Sequence, residues 1–192
     1  GGAASQPSSS TTAASGLKGA PTGSVGLAGV MAPIEGVPLA NGHERFALLN
    51  EAFATDAALV HAPRGADCAA CVEILFVATE AAQTGASYPR LELNVEANAR
   101  VGLIERHVSA HNDANFVNGT VNVTIGEGAQ VDHYRLQQTG AHATWIDTLT
   151  AIVAKDARYA LHCVQLGALS ARSTSRVQLV GERAETTVRV VS

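Results

Sequence analysis

Ile125-Gly126-Glu127-Gly128-Ala129-Gln130-Val131 is a strand end, a polar corner, one alanine and the start of another strand. The same phrase stands before it as Val95-Glu96-Ala97-Asn98-Ala99-Arg100-Val101. It stands after it as Val153-Ala154-Lys155-Asp156-Ala157-Arg158-Tyr159 and Val180-Gly181-Glu182-Arg183-Ala184-Glu185-Thr186. The alanines Ala99, Ala129, Ala157 and Ala184 are 30, 28 and 27 residues apart. A unit of that length cannot bury a face alone and is stabilised by stacking on its neighbours, while a small side chain at each corner lets the backbone turn tightly inward. The spacing predicts a parallel β-helix with roughly one coil per repeat. Short strands between turns also describe a β-sandwich. The repeating spacer lengths favour the solenoid, as does the lack of hairpin dipeptides joining two strands, Asn118-Gly119 excepted.

Around this stretch the apolar residues recur at period two: Val72, Ile74 and Phe76, then Leu91, Leu93 and Val95, then Val121, Val123 and Ile125. That is the period of strands with one buried face, and the polar Asn122 and Thr124 fall between. Upstream, Ala58-Leu59-Val60-His61 reads as a strand closed by a Pro63-Arg64-Gly65 turn. Before it, Asn41 is placed to cap a helix with Glu44 three residues on, and Phe46, Leu49 and Phe53 share one helical face. Residues 1–40 carry only Lys18 and Glu35 as charges and a Ser/Thr/Ala run from Ser5 to Ser15, so little there can be buried. The predicted organisation is a low-charge, poorly ordered linker over 1–40, a short helix within 41–56 and a β-helix over 57–192. The chain opens Gly1-Gly2 and stops within the alternating Thr187–Ser192. Both ends read as cut, and a solenoid truncated at its C-terminal end leaves an open, sticky last coil.

Charged residues make up 16% and aromatics 4% of the chain, so the core must come from Val, Leu, Ile and Ala. A formal net charge of −4 and a pI near 6.0 supply no basic stripe, which argues against nucleic acid as a partner. No run reaches the roughly 18 apolar residues of a membrane-spanning helix, and no signal peptide opens the chain. The expected location is the cytoplasm. A plastid is the alternative, for the Ser-rich, acid-poor opening, although no arginine precedes Arg45. Three cysteines, Cys68, Cys71 and Cys163, make an odd set that fits a reducing compartment. Asn118-Gly119-Thr120 and Asn122-Val123-Thr124 match the glycosylation acceptor pattern, but with no secretory signal they read as chance matches in a strand and its turn.

Candidate chemistry is sparse. Cys68 and Cys71 have the two-residue spacing at which a pair of thiolates shares one metal ion, but a structural site needs a second pair, and small buried thiols explain them as well. His107 and His111 have ligand spacing only on a helix, and their segment reads as a strand leading into a turn. Four residues past each corner alanine stand Leu103, His133, Leu161 and Val188. His133 therefore replaces an apolar residue in a stack and needs a hydrogen-bond partner there. His162 falls in the next row with Ile104, Tyr134 and Arg189, so these histidines are not expected to form a common site. Glu105, Asp132 and Asp147 are the best acid–base candidates, yet they share no position in the repeat, and the single Trp145 is too little to line a sugar groove. Gly126-Glu127-Gly128 lacks a third glycine and a following helix, which leaves a corner rather than a phosphate loop. No catalytic, cofactor or metal site is predicted. A β-helix carbohydrate-active enzyme is the alternative function.

Four segments together resemble successive landmarks of the SufB/SufD family, in its SufD branch. They are Phe46-Ala47-Leu48-Leu49-Asn50-Glu51-Ala52-Phe53-Ala54-Thr55-Asp56, Ile74-Leu75-Phe76-Val77-Ala78-Thr79, Glu105-Arg106-His107-Val108, and Gly126-Glu127-Gly128-Ala129-Gln130-Val131-Asp132-His133-Tyr134-Arg135-Leu136-Gln137. The resemblance runs from about Phe46 to Ser192. It implies a right-handed parallel β-helix and a non-enzymatic scaffold role in the SUF iron–sulfur cluster assembly complex. The implied partners are a SufB-like paralogue and a SufC-like ABC ATPase, in which ATP hydrolysis would reside. It implies no cofactor in this chain, the iron–sulfur cluster being handled by the assembled complex.

Overall fold

The computed structural model describes residues 24–28, 44–55, 57–68, 70–78, 85–112 and 114–192. Strand β1 (Ser24–Ala28) and helix α1 (Glu44–Phe53) precede β2 (Ala57–Ala62), β3 (Val72–Ala78), β4 (Ala86–Ser87), β5 (Arg90–Val95) and β6 (Arg100–Ser109). There follow β7 (Phe116–Ile125), β8 (Gln130–Gln138), β9 (Thr144–Val153), β10 (Arg158–Gln165), β11 (Ser170–Leu179) and β12 (Glu185–Val191). The chain alternates between two facing sheets, a 7-stranded sheet in the order β1-β2-β5-β7-β9-β11, with β4 beside β7, and a 5-stranded sheet in the order β12-β10-β8-β6-β3. All of these pairings are parallel except that of β1 with β2. This is the predicted β-solenoid.

The register reproduces the repeat residue for residue. Arg100, Gln130, Arg158 and Glu185, each following a corner alanine, are Cα partners in series across β6, β8, β10 and β12. Ala99, Ala129 and Ala157 are buried, each closing a turn in which its N–H donates to the carbonyl three residues back. Ala66 and Ala184 close the same turn, so the repeat begins one coil earlier than the spacing of the four alanines suggests. The residue before each alanine, Gly65, Asn98, Gly128, Asp156 or Arg183, has φ between 56° and 69°. Gly, Asn and Asp reach that left-handed region at least cost. Its N–H donates to a carbonyl in the corner of the next coil at 2.8–3.0 Å for the first four, so the corners form a hydrogen-bonded ladder. Leu91, Leu93, Leu103, Leu149 and Leu161 stack behind these corners at no more than 1% exposure. Each such leucine contributes about 1.5–3 kcal/mol by burial, which makes this half of the interior the apolar core.

Several expectations need correction. Of the segment 1–40 read as a linker, Ser24–Ala28 forms β1 and caps the edge of β2; the remainder, and the Asn41 cap, lie outside the described residues. In α1, Phe53 is 58% exposed and stacks on Tyr88. The helix is instead pinned by a fully buried Asn50, whose Nδ2 donates to the carbonyls of Pro89 (3.2 Å) and Asn118 (2.7 Å). Asn118 answers with a bond from its own Nδ2 to the Phe46 carbonyl at 2.8 Å. Asn118-Gly119 is thus no turn but the interior of β7, and Asn118 and Asn122 are both buried, which closes them to glycosylation.

Candidate functional site

Away from the alanine corners the interior changes character. Inward parity along β6 runs Val101, Leu103, Glu105, His107, and along β8 it runs Val131, His133, Arg135, Gln137. The strand halves away from the alanine corners therefore send charge inward. Register stacks Glu105, Arg135 and Cys163 in one row and His107 and Gln137 in another, while β9 faces them with Trp145 and Asp147 from the opposite sheet. Parallel strands in register turn one polar position per coil into a column of polar side chains.

Arg135 holds the group together. Its Nε donates to Glu105 Oε2 at 2.8 Å and its Nη2 to Oε1 at 3.0 Å, while Nη1 crosses to Asp147 Oδ2 at 2.7 Å. Glu105, with no exposure, also accepts from His107 Nε2 at 2.6 Å and His133 Nε2 at 3.0 Å. Nδ1 of His133 lies 3.0 Å from the Tyr159 hydroxyl. With Nε2 donating, Nδ1 accepts from that hydroxyl, and the imidazole is neutral. His107 is held between Phe76, stacked at 4.6 Å, and the edge of Trp145. Asp147 Oδ1 takes the Trp145 indole N–H at 2.8 Å and the Ser173 hydroxyl.

Burial alone would raise the Glu105 carboxyl, but Arg135 and the two histidine hydrogen bonds outweigh it and hold it well below the usual carboxylate value. Burial likewise opposes the Arg135 charge, and Glu105 with Asp147 more than restores it. Burial lowers His133 against the pull of Glu105, and it raises both Tyr159 and the Cys163 thiol. The cluster thus carries ionised Glu105 and Arg135 at neutral pH, with a protonated Tyr159 and an unreactive Cys163. A small cleft at its outer side is lined by Arg135, Trp145, Asp147, Cys163, Gln165 and Ser173 among others.

The candidates read from the sequence distribute as follows. Leu103, His133, Leu161 and Val188 form the expected row, and His162 lies in the outward row with Tyr134. His107 and His133 nevertheless meet on Glu105, so a common histidine site exists where none was expected. Both sit at inward parity, in the two rows that flank the row of Glu105 and Arg135. Glu105 and Asp147 are joined through Arg135 although they share no repeat position, because they approach from opposite sheets. Asp132 faces outward and is exposed. Trp145 is buried, and so offers no platform to a sugar. Cys71 lies against the outer side of Gly102 in β6, whereas Cys163 faces inward from β10, so the three cysteines do not converge. The Cys68 thiol is raised by burial and by Asp67, which makes it a poor thiolate. Among the described residues no three His, Cys, Asp or Glu side chains are placed to hold one metal ion. Arg135, the residue on which the cluster depends, was missed by the sequence reading; its signal was its inward parity two residues after His133.

The model of the SUF system FeS cluster assembly SufBD core domain matches residues 76–192, more than half of the chain and every residue of the cluster. The chain belongs to the SufBD family. It is 31% identical over 140 residues to an iron–sulfur cluster assembly SufBD family protein of Synechocystis sp., an overlap of 69% of this chain and 31% of that protein. The chain therefore spans about a third of this relative. As a SufBD core it places the charged cluster wholly within the family's domain, and α1 and β2 outside it. No helix among the described residues is long and apolar enough to cross a membrane.

Proposed function

We propose that this chain is a non-enzymatic scaffold of SUF iron–sulfur cluster assembly, of the SufD type, acting by protein–protein contact in the cytoplasm. Its partners are a SufB-like paralogue and a SufC-like ABC ATPase, and the iron–sulfur cluster is the cargo of the assembled complex rather than a resident cofactor of this chain. The observation that carries the reading is the family match over residues 76–192. The charged interior supports it. Each Glu105 and Asp147 oxygen already accepts hydrogen bonds from side chains of the chain itself, so neither carboxylate is free for acid–base work. A stack of hydrogen-bonded coils with rigid sheet faces is suited to holding partners in place.

The test is affinity capture of the tagged natural polypeptide from lysate, with mass spectrometry of what is retained. Retention of a SufB-like protein together with an ABC-type ATPase is the expected result. Retention of neither, at a depth that detects known complexes of similar abundance, overturns the scaffold assignment.

A further inference from the structure

The contact between α1 and the larger sheet is polar and closed to solvent. Asn50 stands on the helix, Asn118 and Thr120 on β7 and Arg90 on β5, and none of them is more than 7% exposed. Two backbone carbonyls tie them into one junction. The Pro89 carbonyl accepts from the Thr120 N–H at 3.0 Å and from Asn50 Nδ2 at 3.2 Å, and the Asn118 carbonyl accepts from Asn50 Nδ2 at 2.7 Å. Arg90 follows Pro89 and is the Cα partner of Thr120. Gly119 faces inward toward Trp145 and Asp147, so its neighbours Asn118 and Thr120 both face out toward the helix. This is the structural use of the Asn-Gly-Thr tripeptide. Each of the four residues keeps one buried polar atom with no hydrogen-bond partner among the described residues: Asn50 Oδ1, Asn118 Oδ1, Thr120 Oγ1 and Arg90 Nη2. Native folds seldom leave even one such atom unpaired, and four of them at one contact call for a ligand.

The chemistry of the set identifies that ligand. Neither amide can turn over, because Asn50 Nδ2 is bound to two carbonyls and Asn118 Nδ2 to the Phe46 carbonyl at 2.8 Å. Both Oδ1 atoms are therefore fixed as acceptors. Arg90 Nη2 can only donate, and the guanidinium is held in place by its Nε, which donates to Glu92 Oε1 at 3.0 Å. The Thr120 hydroxyl can donate or accept. An anion would suit Arg90 and Thr120 but would set its oxygens against the two amide oxygens. A cation would suit the amide oxygens but would face the guanidinium. A small neutral molecule with two donors and two acceptors matches all four. We propose that this junction is a built site for ordered water, which gives its hydrogens to Asn50 and Asn118 Oδ1 and accepts from Arg90 Nη2 and the Thr120 hydroxyl. Buried waters make about three such bonds to groups that otherwise lack partners. Asn50 lies outside the family's domain and the other three residues lie within it, so the water carries part of the docking of α1 onto the solenoid.

The inference does not depend on the assembly role. It is tested on the full chain by deuteron magnetic relaxation dispersion, whose amplitude counts the waters held for longer than the molecule takes to rotate. Wild type, Thr120→Ser and Thr120→Ile are compared, with unchanged far-UV circular dichroism showing that the variants are folded. Serine keeps the hydroxyl, whereas isoleucine replaces it with a larger apolar group that excludes the water. Thr120→Ser is expected to retain the wild-type amplitude and Thr120→Ile to lose the equivalent of about one long-lived water. Equal amplitudes in all three folded proteins overturn the proposal. Should Thr120→Ile fail to fold, a high-resolution crystal structure of the wild type decides. A water at about 2.7–3.2 Å from at least three of the four atoms is the expected result. A junction in which those atoms pair with one another, or hold an ion, overturns the proposal.

Discussion

Arg135→Met is the most informative single change in the interior. It leaves a side chain of similar length and removes three hydrogen bonds, two to Glu105 and one to Asp147. Two carboxylates with essentially no exposure are then left facing each other across the lumen without their cation. Removing one partner of a buried ionic group costs about 3–5 kcal/mol, because the surviving charges keep their desolvation penalty and lose its compensation. Asp147 is partly protected, since it retains Trp145 and Ser173. Glu105 retains the two histidines. The estimate therefore sits nearer 3 than 5. Asp147→Asn on the R135M background keeps an acceptor for the indole and the hydroxyl while deleting one stranded charge, and it should return about 1–2 kcal/mol, whereas the same change in the wild type should destabilise. Urea unfolding followed by circular dichroism reads each effect as a shift in midpoint at unchanged slope. A loss below about 1 kcal/mol for R135M, or a D147N effect of the same sign and size in both backgrounds, would refute the claim that the cluster is a coupled ionic unit.

Three further outcomes follow from the same geometry. His133 is held below its usual value by burial, so on acidification the unfolded chain takes the proton first; stability should begin to fall near pH 6.5, with a second loss below about pH 4.3 as Glu105, held low in the fold, becomes protonated in the unfolded chain. Melting temperature against pH should lose the first slope in His133→Gln, and an unchanged slope counts against the assignment. An added Cβ at Gly126 would stand 2.7 Å from the Ala97 nitrogen and 2.9 Å from the Glu96 carbonyl carbon, whereas at Gly65 it meets nothing within 4 Å. Gly65→Ala should thus cost only the left-handed φ, about 1–2 kcal/mol, and Gly126→Ala clearly more, as urea midpoints would show; equal costs would mean the coils yield at the corner. Asn50→Ala removes the two amide bonds from α1 to the carbonyls of Pro89 and Asn118, and hydrogen exchange should accelerate across α1 while β7 to β10 keep their protection; uniform acceleration would show that α1 is integral to the solenoid.

The solenoid was legible because its two signals are local. Period-two alternation marked β3, β5 and β7, and a corner alanine marked the register so closely that Leu103, His133, Leu161 and Val188 fell into one row as the spacing requires. The coil beginning at Ala66 escaped because Pro63-Arg64-Gly65 reads as an ordinary turn and the spacing to Ala99 is longer than the others. The site was only half legible. That Glu105, His107, His133 and Arg135 point inward follows from parity with Leu103 and Val131, and needs no structure. That Asp147 and Trp145 meet them does not follow, since a repeat aligns strands within a sheet and is silent on which residues of the two sheets face each other. The docking of α1 was misread for a related reason. Its apolar residues suggested an apolar contact, whereas the bonds that pin it run from the buried Asn50 amide to the carbonyls of Pro89 and Asn118 and from the Asn118 amide back to the carbonyl of Phe46.

The position of the cluster in the coil gives it a mechanical meaning. At the alanine end the two sheets are tied by short turns whose N–H groups form a ladder, and apolar stacking suffices to fill the narrow space. At the opposite end the chain crosses between sheets through the segments around Asn112, Gly140 and Gly167, of six, five and four residues between the strands. There the bonds from Arg135 to Asp147, and from Gln165 to Ser173 at 2.6 Å, bridge one sheet to the other. A non-directional core would permit the sheets to slide in that region, whereas the directional Arg135–Asp147 ion pair, on a guanidinium already clamped by Glu105, fixes both their distance and their register. Breaking the bridge at Arg135 should therefore loosen the end opposite the alanine corners before the alanine end. Hydrogen exchange on Arg135→Met resolves the two: faster exchange in the C-terminal half of β6 and the N-terminal half of β9, with the corner amides of Ala99, Ala129 and Ala157 still protected, is the outcome this division of labour requires.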